Sequence, residues 1–248
     1  MWLTVVMSDE ETAQTPAGGV RARAREEMRR LILDAGRARL AADGPEALSL
    51  RAVARDVGLV SSAVYRYVAN RDALLTELII ESYDALGAAA EEADAAIDRA
   101  DLVGRFVAVG RATRAWGLAH PHEWALIFGS PIPGYAAPED TIAAAGRIPR
   151  LLVTMLADAA GAGVDLPATP VEPEVLAAMA PVLEFFADTA PTESAVRGLM
   201  AWSALLGTVS QEVFGHRRNV ITEDGAADFS AGEMRRTAAF LGLDRRPG

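Results

Sequence analysis

The 248-residue chain carries a formal net charge of −10, with 51% hydrophobic residues, 6% aromatics and no cysteine. Disulfides and thiolate metal sites are thereby excluded, and the alanine- and leucine-rich makeup favours helices over strands. No apolar run reaches the ~18–20 residues a membrane helix needs; the charge-free stretch 198–211 reads as a buried core helix.

The opening MWLTVVMSDEETAQTPAGG has no basic n-region and turns acidic after Met7, so it reads as a polar arm and not as a signal peptide. The arm is placed at 1–22 and expected to be disordered, with Met7 a second candidate start and a cytoplasmic location expected. Every basic residue is an arginine. Between Arg21 and Asp72 eleven arginines stand against seven acids, which makes this segment +4 and the remainder −14. Such asymmetry points one end of a chain at a polyanion, although a solvated helix face gives the same count.

The first predicted helix, 23–42, places Met28, Leu31, Ile32, Ala35 and Leu40 near one stripe and ends at Asp43-Gly44-Pro45. Ser49 is the natural N-cap of a second, with Leu50, Val53, Ala54 and Val57 facing inward and Gly58 at the C′ position. A third runs from about Val60 to Val68. Asn70 caps a fourth, whose apolar face is Leu74, Leu75, Leu78 and Ile79. Two short helices about a glycine turn form the helix-turn-helix pattern. If Val64 and Val68 pack inward, a 100° step turns Ser62, Ala63 and Arg66 outward, with Tyr65 at the edge. Small residues there allow close approach to base edges, the arginine suits a base or a phosphate, and tyrosine hydroxyls suit phosphates.

Residues 26–79 resemble the N-terminal DNA-binding domain of the TetR-family regulators. Gly58, then VSSAVYRYV, then ANRDALL follow that family's glycine, short tyrosine-bearing helix, turn, basic residue and leucine pair. Val60 departs from the pattern, standing where a serine or threonine cap is usual. The resemblance implies a DNA-binding domain at 23–72. Within it Ser49 and Arg51 touch phosphates, Ser61, Ser62, Ala63 and Arg66 face the major groove, and Tyr65, Tyr67 and Arg71 hold the DNA backbone.

The remainder, 73–248, reads as all-helical, with helices near 102–120, from Pro121, and at 140–160, 172–188, 192–216 and 229–242. The proline-broken SPIPGYAAPED, 130–140, is a loop. The segments 116–140 and 207–216 resemble TetR regulators with a WHG-type C-terminal domain, which implies ligand binding and dimerisation. The 192–216 helix is apolar on more than one face. Trp202, Leu206, Val209 and Val213 are its expected homodimer contacts, the other reading being a wholly internal core helix. Trp116, His120, Trp124, Phe128 and Tyr135 are candidates to line a cavity for a small apolar or aromatic effector, although any one ring serves equally as core.

The three histidines, His120, His122 and His216, have no metal-ligand spacing, and no nucleophile elbow, P-loop or dinucleotide glycine pattern occurs. No metal, cofactor or enzymatic activity is expected. The sequence thus implies an all-α, homodimeric, ligand-responsive regulator, a repressor in the first instance, on a near-palindromic double-stranded DNA operator. The alternative is a constitutive DNA-binding protein without small-molecule control.

Overall fold

Alanine- and arginine-rich sequence from Ala17 to Asp43 winds into a single helix, α1. The computed structural model describes residues 17–167 and 170–245. Residues 17–22, expected in the disordered arm, are the first turns of α1 although they include the weak helix formers Gly18 and Gly19; the rest of the expected arm, 1–16, lies outside the described residues. Ile32, Leu33 and Leu40 form the buried stripe of α1, whereas Leu31 is 51% exposed, one step off that stripe.

α2 (Leu50–Asp56) follows, and Gly58 closes it with a φ of 72°, a left-handed conformation that costs a glycine little. α3 (Arg71–Ala95) begins at Asn70, whose side-chain oxygen accepts the Ala73 N–H at 2.8 Å. Val53, Val64, Val68, Leu74 and Leu75 meet beneath α1 as the core of this N-terminal head. α3 crosses the 72/73 boundary without a break and continues into the body, so head and body share one helix.

The body comprises α4 (Leu102–Ala119), α5 (Pro121–Phe128), α6 (Asp140–Ala145), α7 (Arg147–Gly161), α8 (Pro173–Ala178), α9 (Ala180–Phe186), α10 (Thr192–Val213) and α11 (Ala226–Phe240). The described residues form no strand, and no described helix is long and apolar enough to cross a membrane. The predicted 172–188 helix is divided at Met179, because Pro181 supplies no N–H and its ring disfavours helical backbone before it. α10 lies against α7 so closely at Gly198 that any Cβ there would collide with Val153. A second core gathers Phe106, Val109, Trp124, Leu152, Leu156, Leu205, Val209 and Met234.

Charge is buried in the body as well. Arg105, fully buried, donates to Asp94 at 2.7 Å and to Asp158 at 3.0 Å, and Arg99 reaches the same two carboxylates. The network ties α3, α4 and α7 together.

Of the expected dimer contacts on α10, Val209 requires correction, while Trp202, Leu206 and Val213 keep part of their surface exposed. Val209 is fully buried in the body core of its own protomer, Trp202 packs edge-on against Phe128 with ring centroids 5.7 Å apart, and Leu206 and Val213 rest partly buried on the same core. A helix apolar on every side does not declare which side faces inward. The exposed side of α10 presents Met200, Ser203 and Ala204. With Arg236 and Phe240 of α11, Met200 and Ala204 border a shallow groove of about 340 Å³.

Candidate DNA-binding surface

The segment expected as a recognition helix is shorter and tighter than predicted. Its hydrogen bonds run Ala63 N to Val60 O, Arg66 N to Ala63 O and Tyr67 N to Val64 O, at 2.8–3.2 Å, so most of it turns at three residues and only 64–66 is a 3₁₀ turn. Val60 brings no side-chain acceptor to start an α-helix, and the consecutive serines 61 and 62 favour turns. The tighter winding also defeats a projection at 100° per residue. Ala63, expected outward, is 6% exposed and sits inside beside Val64; it cannot face a groove.

The outward side is polar. Ser49, Arg51, Arg55, Ser61, Ser62, Tyr65 and Arg66 are all exposed, Tyr65 by half its surface. Ser49 stands at the N-cap of α2, where its carbonyl accepts the Val53 N–H at 3.0 Å, but its hydroxyl makes no cap bond. That hydroxyl stays available at a helix N-terminus, where an anion is favoured.

Arginines divide into two groups. Arg29, Arg37 and Arg39 bind Glu77, Glu81 and Asp56 at 3.1, 2.8 and 2.7 Å; the hydrogen bond from Arg39 holds the Asp56 carboxyl below the usual carboxylate range. Arg51, Arg55 and Arg66 join none of the ion pairs among the described residues. Of the head's exposed arginines without an ion pair among the described residues, these three accompany the serines and Tyr65, while Arg21, Arg23, Arg25 and Arg30 lie on α1.

Two further predicted residues, Arg71 and Tyr67, also make contacts within the head. Arg71 is half-buried and donates to the Pro45 carbonyl at 2.8 Å, with Asp72 beside it at 3.3 Å, so it braces the turn between α1 and α2. Tyr67 is half-buried against the head core. Arg55 and Arg25 were not singled out from sequence. Arg25 donates to the Arg66 carbonyl at 3.1 Å, and its only sequence signal was membership of the arginine-rich segment.

The proposed effector-lining residues do not form one pocket. Trp116, Trp124, Phe128 and Trp202 pack in sequence with centroids 6.5, 4.6 and 5.7 Å apart, so their rings fill the space they were expected to line. Trp124 is fully buried and donates to the Ser210 hydroxyl at 3.2 Å. His120 is exposed against the edge of this cluster, 5.0 Å from Trp116. Tyr135 lies elsewhere: its loop folds back so that Ile132 and Tyr135 pack on the head core, with the Tyr135 hydroxyl 2.9 Å from that of Thr76.

Comparison with known proteins accords with this arrangement. The family model for bacterial regulatory proteins of the tetR family matches residues 32–78, and that for the tetracyclin repressor-like C-terminal domain matches residues 106–232. The chain is 37% identical over 222 residues to the HTH-type transcriptional regulators Rv1816 of Mycobacterium tuberculosis and Mb1846 of Mycobacterium bovis, covering 86% of this chain and 92% of theirs. Among solved structures, the putative regulatory protein SCO4313 superposes with a TM-score of 0.72 at 30% identity, over 88% of this chain and 98% of that one. A Rhodococcus sp. RHA1 protein of unknown function shares the fold with a TM-score of 0.63 at 24% identity, over 84% of this chain and 94% of that one. With the helix-turn-helix head, the helical body and these likenesses in agreement, the chain belongs to the TetR family and is a DNA-binding transcriptional regulator.

Proposed function

We propose that the protein is a homodimeric repressor that grips a near-palindromic operator and is released by a small molecule. The observation that carries the DNA-binding part is the exposed face of Ser49, Arg51, Arg55, Ser61, Ser62, Tyr65 and Arg66, whose three arginines lack carboxylate partners among the described residues. Arg66 is assigned to base edges; Ser49, Arg51, Arg55 and Tyr65 are assigned to phosphates. The acidic body is repelled by DNA, which leaves the head as the docking end.

Dimerisation is assigned to the exposed side of α10 together with α11, where Ala204 lets helices approach and Met200 and Phe240 offer apolar contact. Two heads then read successive major grooves about 34–36 Å apart.

The test is selection of genomic fragments by the purified protein, followed by titration of the recovered site at increasing salt. Several neutralised phosphates give a steep linear fall of log affinity with log salt; a flat plot removes the proposed face. The close-packed ring cluster favours constitutive binding over an effector held at that place. Ligand control draws its support instead from a cleft between head and body.

A further inference from the structure

An open cleft of about 800 Å³ separates the turn after α1 from α5 and the end of α10. Its volume lies within the range of small-molecule sites. We propose that this cleft binds an organic monocation with an apolar or aromatic body.

The electrostatics decide the sign of the ligand. Three helices end at the cleft: α1 at Asp43, α5 at Phe128 and α10 at Val213, and residues of each terminal stretch line it. None of the three has a basic residue in its last turn. A helix C-terminus carries the equivalent of about half a negative charge, and here three such ends converge with no arginine in their last turns. Two carboxylates add to them. Asp43 is held on one side by Arg39 at 3.2 Å, whereas Glu46 joins none of the ion pairs among the described residues. No arginine is among the lining residues, in a head otherwise rich in arginine. Apart from the imidazoles of His122 and His216, which also line the cleft, the charged groups an entering ligand meets are Asp43, Glu46 and the helix ends, and these draw in a cation.

The walls set the rest of the chemistry. Leu126 and Ile132 give an apolar floor, and Phe214, 39% exposed, supplies a ring whose attraction to an ammonium group adds to that of the carboxylates. The site is distinct from the Trp116–Trp124 interior, with Phe128 alone shared between them.

Its position gives the occupant leverage. One wall belongs to the head and the other to the body, and Arg37 of α1 faces Glu123 of α5 at 3.6 Å alongside. A ligand touching both walls favours one setting of the head over another, and only such a difference shifts a population. This last step rests on the repressor reading; binding itself does not.

The experiment is calorimetric titration of the full chain with (4-phenylbutyl)trimethylammonium, neutral 4-phenylbutanol and anionic 4-phenylbutyrate. The expected order is cation, alcohol, anion. Glu46→Gln, an exposed change that leaves the core untouched, is expected to weaken the cation about fivefold and leave the alcohol unchanged, the scale of one partly screened charge contact. Ala125→Trp, which fills the cleft from the exposed side of α5, is expected to abolish both. Absence of saturable cation binding, equal binding of the three compounds, or cation affinity indifferent to Glu46→Gln overturns the site. Operator affinity, measured in parallel without and with the cation, separates the two proposals: a cation that binds normally while operator affinity stays constant overturns the ligand control and not the site.

Discussion

The guanidinium of Arg25 lies 3.1 Å from the backbone carbonyl of Arg66, tying the early turns of α1 to the recognition turn across 41 residues of sequence. A 3₁₀ turn has poorer hydrogen-bond geometry than an α-helix. An external donor on its last carbonyl therefore helps to fix the turn that presents Arg66 and Tyr65.

Arg25→Ala is expected to change thermal stability little, because the bond is exposed, yet to weaken DNA binding several-fold on every sequence. The scale is about 1 kcal/mol, that of one hydrogen bond. Fluorescence anisotropy on operator and scrambled duplexes reads this directly; unchanged affinity on both removes the positioning role.

Arg66→Ala is expected to relax sequence preference, since an arginine on guanine contributes about 1–3 kcal/mol of discrimination. Tyr65→Phe is expected to weaken binding evenly, because a phosphate contact carries no base information. Equal losses of specific and non-specific affinity in the Arg66 variant would make it a phosphate contact.

Two arginine substitutions on α10 separate surface from core. Ala204→Arg is expected to yield monomers in sedimentation with helical content intact. Val209→Arg places an unpaired charge where exposure is zero and is expected to cost about 3–5 kcal/mol of stability. A fully dimeric Ala204 variant at low concentration moves the interface to another face.

The buried network predicts an acid-side loss of stability. Burial opposes ionisation of Asp94, but hydrogen bonds from Arg105 and Arg99 outweigh it and hold its carboxyl below the usual range. A depressed carboxylate stabilises the fold above its unfolded value, about 3.9, and that contribution is lost as pH falls towards the lower folded value. Asp94→Asn leaves the buried Arg105 with the part-exposed Asp158 as its remaining carboxylate partner, and is expected to cost up to about 3–5 kcal/mol and to flatten this acid limb in denaturation curves. An unaltered acid limb would assign it to other carboxylates.

What was legible in the sequence was local. Gly58 at a left-handed φ, the Asn70 cap, and Val64, Val68, Leu74 and Leu75 inside all follow from periodicity and cap chemistry within a few residues. Ala63 was misplaced because the projection assumed α-helical winding in a segment that winds more tightly. Arg71 looked free for a phosphate because its acceptor, the Pro45 carbonyl, lies 26 residues away. Tyr135 shows the same difficulty at longer range: its partner Thr76 is 59 residues distant, and nothing local announces that a body loop caps the head. Along α10 the apolar residues were visible, but their division between interior and surface depends on α7 and α4, which periodicity does not contain.

α3 runs unbroken for 25 residues from the head into the body. At 1.5 Å per residue it is a rod about 37 Å long, so a tilt of about 5° around its body end sweeps its head end through about 3 Å. Successive phosphates on one DNA strand are spaced by a rise of about 3.4 Å. A rotation small enough to leave the body packing intact thus displaces the recognition turn by nearly a whole rung of the duplex.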